Sequence, residues 1–441
     1  MTQRVVYLPV EIKHRELPSR LLIAAYLLEA GCTVVLGNHW SMTDSANVAA
    51  LPEGVFLYKT VNKVQGINML GARAAGHIVA ANDEEVLAFT EYNGYVAAFS
   101  EEAATACDLF LAQSAIHGSA IERRFPHLAG KILIAGNPRV ALMTAENRHI
   151  FTSADRRVEK LKPYILFNTN FGIINSFWNA GGSLNMAVHE ETGAFDGPDR
   201  EQKKKEFAET LAWEKGNHRA MLALLRWAVE NIRGMRIVVR PHPGERAEYW
   251  HQMLAGFPNS AVITQSDPHP WVLDAELLVH TGCTTGLEAA LFGKPVLNLQ
   301  PVDRPHYGHI TNLVNPTLRT PEEAAQAIVE FLSGRGGPIA ADKTAVLETY
   351  LPGYRDGTAA RRMADALLKL LPRPVAAGAP LSWRGTFLDV DRTEVQKMKF
   401  TAGDAEIREG LTRALRVAGT QTAGRVGVLG DSLFMIVPDS R

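Results

Sequence analysis

The chain has 441 residues, 46 basic and 47 acidic, for a formal net charge of −1. That balance argues against a dedicated nucleic-acid binder, which carries a basic excess, and still allows a local basic cleft for an anionic ligand. At 46% hydrophobic and 21% charged residues, the length suggests two or three globular domains, each able to bury an ordinary core without disulfide or metal staples.

In chain order, residues 5–10 read as a strand, 18–30 as a helix and 33–37 as the next strand, together a βαβ crossover. Strand-like runs follow at 55–58, 77–81, 108–112 and 131–135, and the charged, helix-prone stretch 146–162 reads as a linker. A second series runs through 164–167, 236–239, 261–264, 276–279 and 295–299. Such alternation argues for two Rossmann-like α/β domains with parallel sheets facing a cleft, ligands lying at the carboxyl ends of the strands. Residues 172–218 form a long insertion that ends in a charged helix, where Lys203-Lys204-Lys205 reads as a solvated face. Residues 357–371 read as an amphipathic helix. Beyond the Pro/Ala/Gly-rich stretch 372–380 lies a small appended α+β module. The expected domains are therefore 1–155, 156–356, a helix at 357–374, and the module at 375–441.

Several segments carry candidate chemistry. Arg240-Pro241-His242-Pro243 closes a strand, and its prolines fix the backbone as it leaves the sheet. Arg240 offers a planar fork for phosphate, and His242 a hydrogen bond or a proton for a leaving phosphate. The plainer reading is a turn with a solvated histidine. The run His280-Thr281-Gly282-Cys283-Thr284-Thr285-Gly286-Leu287-Glu288 follows a strand and opens a helix. Hydroxyls and backbone N–H groups at a helix N-terminus suit an anion, although Thr284 or Thr285 can serve as a simple cap. Glu288 either reaches a ribose hydroxyl or places favourable charge near the helix start. Asp83-Glu84-Glu85 offers a general base or forms an acidic first helical turn. Glu11-Ile12-Lys13-His14-Arg15-Glu16, after the first strand, is a substrate-facing loop or a solvated one. Asn168-Thr169-Asn170-Phe171-Gly172 is polar and close-packed at a strand end, in a position to line the cleft.

No phosphate-binding G-x-x-x-x-G-K-[ST], no G-x-G-x-x-G after the first strand, no G-x-S-x-G and no H-E-x-x-H occurs. A P-loop NTPase and a nicotinamide dehydrogenase are thus disfavoured, and neither a metal nor a cofactor is expected. Cys32, Cys107 and Cys283 are odd in number and widely spaced, which fits a reducing cytoplasm. The first residues show no signal-peptide pattern, and the longest apolar stretch, residues 21–28, is short of the ~20 residues of a membrane span.

The opening Tyr7-Leu8-Pro9-Val10-Glu11-Ile12-Lys13-His14-Arg15-Glu16-Leu17 resembles the start of the bacterial surface carbohydrate biosynthesis protein family. So do Gly76-His77-Ile78-Val79 leading to Asp83-Glu84-Glu85, Gly136-Asn137-Pro138-Arg139, the Asn168–Gly172 segment, and the Arg-Pro-His-Pro and Gly-Cys-Thr-Thr-Gly motifs. The resemblance spans residues 4 to about 370. It implies a GT-B-type glycosyltransferase, with motifs similar to those of polysialyltransferases, capsule Kdo transferases and CDP-glycerol transferases. By that resemblance Glu84 and Glu85 match an acidic pair that supplies the base, His242 a His-Pro motif, and Thr284 with Thr285 a hydroxyl pair holding nucleotide phosphate and donor carboxylate. Val86 stands where the pattern has Gly, which leaves Glu84, Glu85, Glu11 and Glu16 all as base candidates.

The expected partners are a nucleotide-sugar donor in the C-terminal domain and a carbohydrate or glycoconjugate acceptor in the N-terminal one. The favoured donor is a CMP-activated ulosonic acid. The expected location is the cytoplasm, with peripheral contact at the inner membrane left open. The rival readings are a UDP-sugar 2-epimerase and a non-catalytic nucleotide-sugar-binding protein.

Overall fold

The computed structural model describes residues 4–83, 86–90, 92, 96, 99–144, 146–151, 156–177, 186–191, 193–197, 199–264, 266–303, 308–335, 343–371 and 388–439. They form two compact units. One comprises Met1–Leu87, Tyr92–Ile150 and Leu347–Arg441; the other comprises Ala88–Glu91 and Phe151–Val346. Each is an α/β unit built on a mainly or wholly parallel sheet, a Rossmann-like arrangement.

The first unit holds β1 (Val5–Val10), β2 (Thr33–Asn38), β3 (Val55–Tyr58), β4 (Ile78–Asn82), β5 (Leu109–Ala112) and β6 (Ile132–Ile134). All six are parallel, and β1 to β3 are buried along their whole length, as strands covered on both faces must be. The helix Lys13–Glu29 starts five residues earlier than Pro18 suggests. Proline there removes one main-chain donor, and the first turn is anchored instead by Glu16, whose carboxylate accepts from the Glu11 N–H at 2.8 Å.

The second unit holds β7 (Tyr164–Asn168), β8 (Arg236–Arg240), β9 (Ser260–Val262), β10 (Leu277–His280), β11 (Val296–Leu299) and β12 (Thr317–Leu318). Their spatial order is β12-β11-β10-β7-β8-β9, parallel throughout. The insertion does not end in a separate charged helix. That helix continues as Arg200–Asn231, the crossover from β7 to β8. Its second half buries Met221, Leu224, Leu225 and Ala228 with Phe171 and Trp250 in the core. Its first half is amphiphilic, with Lys203 paired to Asp199 at 2.9 Å and Lys204 to Glu190 at 2.5 Å.

The C-terminal residues are α+β, but they extend the first sheet instead of standing apart as a module. Strands β13 (Gly424–Gly430) and β14 (Leu433–Pro438) form a hairpin, and β14 pairs antiparallel with β2. Strand β2 is apolar and would otherwise be a bare edge, so the hairpin covers backbone donors and acceptors that need partners. The helix Ala359–Leu370 also belongs to the first unit: Arg362 Nε donates to the Ala135 carbonyl at 2.9 Å, and Arg361 lies 4.3 Å over the Tyr26 ring. No helix among the described residues is long and apolar enough to cross a membrane.

Candidate functional site

Strands β7, β8 and β10 are neighbours, so the segments that follow them emerge side by side at one end of the second sheet. Asn168 is in register with Arg240, and His280 lies one residue beyond the Phe167–Val279 pair. Three sequence motifs, at Asn168, Arg240 and His280, therefore share one row.

The loop after β8 is tied to the loop after β7 through Glu245. This buried carboxylate accepts from Thr169 Oγ1 at 2.7 Å, the His242 N–H at 3.0 Å and Trp250 Nε1 at 2.9 Å. Burial raises its pKa, against those hydrogen bonds. Phe177 N–H donates to the Gly244 carbonyl at 2.8 Å, and Arg246 N–H to Asn175 at 3.1 Å.

On this frame His242 is exposed, and its Nδ1 accepts from the Gly244 N–H at 3.0 Å. The surrounding protein and the Arg240 charge lower its pKa, so the ring is neutral at pH 7 with its proton on Nε2. His242 is thus set as a hydrogen-bond donor through Nε2, which narrows the sequence expectation of a donor or an acid.

Arg240 donates through Nη2 to the Ser266 carbonyl at 2.9 Å and has no ion-pair partner within 4.0 Å among the described residues. Its Nε is buried and unpartnered among them, as are Asn168 Oδ1 and Thr281 Oγ1. Asn168 and Thr281 are themselves buried, and Asn170 is half-buried. Burial lowers the Arg240 pKa, while Asp267, Cys283 and Glu288 act to raise it. A desolvated guanidinium without a carboxylate, beside orphaned polar atoms, is a costly arrangement that an anionic, polar ligand would relieve.

The loop after β10 leads into the helix Thr284–Leu291. Its N-cap, Cys283, makes no side-chain capping bond, so neither threonine serves as the cap. Gly282 has φ +57°, its N–H donates to Asn298 Oδ1 at 2.9 Å, and its carbonyl accepts from His309 Nδ1 at 2.7 Å. Cys283 N–H donates to His280 Nδ1 at 3.2 Å. His280 is fully buried, and burial with His309 nearby pushes its pKa down to about 3, so it remains a neutral acceptor. Thr284 is half-buried and Thr285 buried. Glu288 is buried, its Oε2 3.9 Å from His269 Nε2, and His269 Nδ1 in turn lies 2.7 Å from Asp267 Oδ1.

The first-unit candidates divide. Glu84 and Glu85 lie outside the described residues. Glu11, at the end of β1, pairs with Lys59 at 2.8 Å and with Lys399 at 2.8 Å. Burial alone would raise its pKa, but the two ammonium groups bring it down to about 2. Glu16 is fully buried, accepts from the Glu11 N–H, and lies 3.2 Å from Arg15 and 3.7 Å from Lys59. Both carboxylates are engaged in ion pairs, and those of Glu11 make it a poor proton acceptor.

The residues without a place in the sequence reading are Glu245, Asn298, His309, Lys59 and Lys399. Glu245 had a signal, its place three residues after His242. The others are brought in by the sheet order from far along the chain. Among the described residues no group of three or more His, Cys, Asp or Glu side chains is placed to hold a metal ion.

No protein-family model and no curated protein sequence matches the chain. Solved structures do. The UDP-GlcNAc 2-epimerase from Methanocaldococcus jannaschii aligns at 14% identity and TM-score 0.49, over 84% of this chain and 100% of its own. The UDP-GlcNAc 2-epimerase from Neisseria meningitidis, bound to UDP-GlcNAc, aligns at 13% identity and TM-score 0.47, over 83% and 100%. The wall teichoic acid polymerase TagF aligns at 11% identity and TM-score 0.45, over 84% and 88%.

Proposed function

We propose that the second unit binds the phosphate of a nucleotide-activated sugar and that the chain transfers the sugar to a hydroxyl of a carbohydrate or glycoconjugate acceptor in bacterial surface polysaccharide or lipopolysaccharide synthesis. The observation that carries this reading is Arg240: a half-buried cation with a buried, unpartnered Nε, held by a carbonyl instead of a carboxylate, with orphaned polar atoms of Asn168 and Thr281 in the adjacent strand-end segments. Arg240, the Nε2–H of His242, and the N–H and hydroxyl groups of Thr284 and Thr285 supply donors where negative charge develops as the sugar–phosphate bond breaks. Glu288 is the candidate for a ribose hydroxyl.

The acceptor hydroxyl must lose a proton. With Glu11 and Glu16 held in ion pairs, Glu84 and Glu85 are the preferred receivers. The motif resemblance favours a CMP-activated ulosonic acid as the donor class.

Calorimetric titration of the full chain with CMP, CDP, UDP and GDP tests the donor site, and radiolabelled sugar transfer from the matching donor tests the reaction. Binding of one nucleotide followed by transfer is expected. No binding by any of the four would remove the reading, and conversion of a UDP-sugar without acceptor would replace transfer by epimerisation.

A further inference from the structure

The second unit includes four residues, Ala88–Glu91, that lie far before the rest of it in sequence and follow the acidic segment Asp83-Glu84-Glu85 after Val86 and Leu87. Phe89 forms an isolated antiparallel bridge with His309, and Thr90 N–H donates to the Gly308 carbonyl at 3.0 Å. The Phe89 and His309 rings meet edge to face with centroids 5.3 Å apart. His309 in turn donates from Nδ1 to the Gly282 carbonyl at 2.7 Å. A carbonyl only accepts, so Nδ1 carries the proton.

The peptide between Gly282 and Cys283 is thereby gripped at both ends, its oxygen by His309 and its N–H by His280. This grip sets the direction of the chain as it enters the helix Thr284–Leu291. It also keeps the Gly282 carbonyl engaged, so that its negative end is not free to face an anion at the helix start. We propose that His309 and Phe89 are positioning residues of the donor loop: Phe89 holds the His309 ring, and His309 fixes the Gly282–Cys283 peptide so that the following N–H and hydroxyl groups are preset for a nucleotide phosphate. This rests on the donor-site reading above. It gives the segment Ala88–Glu91 a task within its own unit, supporting the phosphate loop.

The test is calorimetric titration of the full-length protein and its variants with CMP, CDP and UDP. His309→Ala should weaken the nucleotide that wild type binds by about tenfold, the scale of one lost hydrogen bond, with the melting temperature of the unliganded protein little changed. His309→Asn, whose amide N–H can reach the same carbonyl, should return affinity to within about threefold of wild type. Phe89→Ala, which leaves the hydrogen bond but not its support, should fall between the two. Should His309→Ala fail to fold, Phe89→Ala against wild type still decides. Equal affinity in wild type, His309→Ala and Phe89→Ala would overturn the positioning role while the donor reading stands, as would His309→Asn binding no better than His309→Ala. Wild type binding none of the three nucleotides, nor GDP, would remove the donor reading and this inference with it.

Discussion

At the residue scale, Arg240 of the second unit has no ion-pair partner among the described residues, whereas Lys59 and Lys399 of the first both pair with Glu11. Arg240 makes one hydrogen bond to a main-chain carbonyl and no ion pair among the described residues, so a well-packed apolar side chain in its place costs the fold little. Arg240→Met should therefore leave the melting temperature unchanged or slightly raised, while nucleotide affinity falls by about 100-fold, the loss of a charge-assisted contact. Thermal melts and calorimetry on the same variant separate the two effects. His242→Ala should lower turnover by about 10²-fold with little change in stability, because the ring is exposed and packs against no core. Turnover near that of wild type would take His242 out of the mechanism.

Glu11 makes the contrasting prediction. Its folded-state pKa of about 2 lies below the ordinary 4.5, so the folded form binds the proton less readily than the unfolded one. The stability it contributes is present above about pH 4.5 and is lost as pH falls towards 2. Glu11→Gln should cost about 2 kcal/mol at pH 7, since Lys59 loses its nearer partner, and the gap to wild type should close between pH 5 and pH 2.5. A gap that is constant across that range in denaturant melts would show that the lysine pairs are not what Glu11 contributes.

At the scale of elements, the helix Thr284–Leu291 can open where it does because two glycines precede and begin it. Gly282 occupies a left-handed conformation. Gly286 has no room for a side chain, because an added Cβ would collide with the His280 ring and with Thr311 Oγ1. Gly286→Ala must displace a buried histidine that itself holds the Cys283 N–H. A loss of about 3 kcal/mol is expected, at the upper end for overpacking a core. If chemical denaturation instead shows a loss below about 0.5 kcal/mol, the His280 packing is not rigid. The motif that reads as an anion-binding turn is thus also a packing unit, and both demands select the same small residues.

At the scale of the whole chain, the C-terminal hairpin closes one edge of the first sheet, and Lys399 from the same region pairs with Glu11 after β1. Truncation after residue 387 would remove β13 and β14 and leave β2 as an unpaired apolar edge, the usual template for aggregation. Such a protein should elute as aggregate in size-exclusion chromatography; a monomer with wild-type melting behaviour would show that the hairpin is dispensable.

The alternation of buried apolar runs with helical segments was enough to predict two parallel α/β units, because a strand covered on both faces must be apolar where it is covered, as Tyr164 to Phe167 of β7 and Ile237 to Val239 of β8 are. Arg240, His242 and the hydroxyl run were legible for a similar local reason: strand, proline, small residues and helix start follow one another in sequence. What the residues could not disclose was which distant groups meet them. Glu245, Asn298 and His309 reach the site through strand order and loop packing, and no local pattern encodes those. The ion pairs that engage Glu11 and Glu16 come from Lys59 and, for Glu11, also from Lys399, 388 residues away. The C-terminal segment looked like a separate module because its composition shifts at the preceding proline-rich stretch. Pairing between strands is a non-local choice, made by the open edge of β2 and the buried face of β14, and only the folded chain brings those two surfaces together.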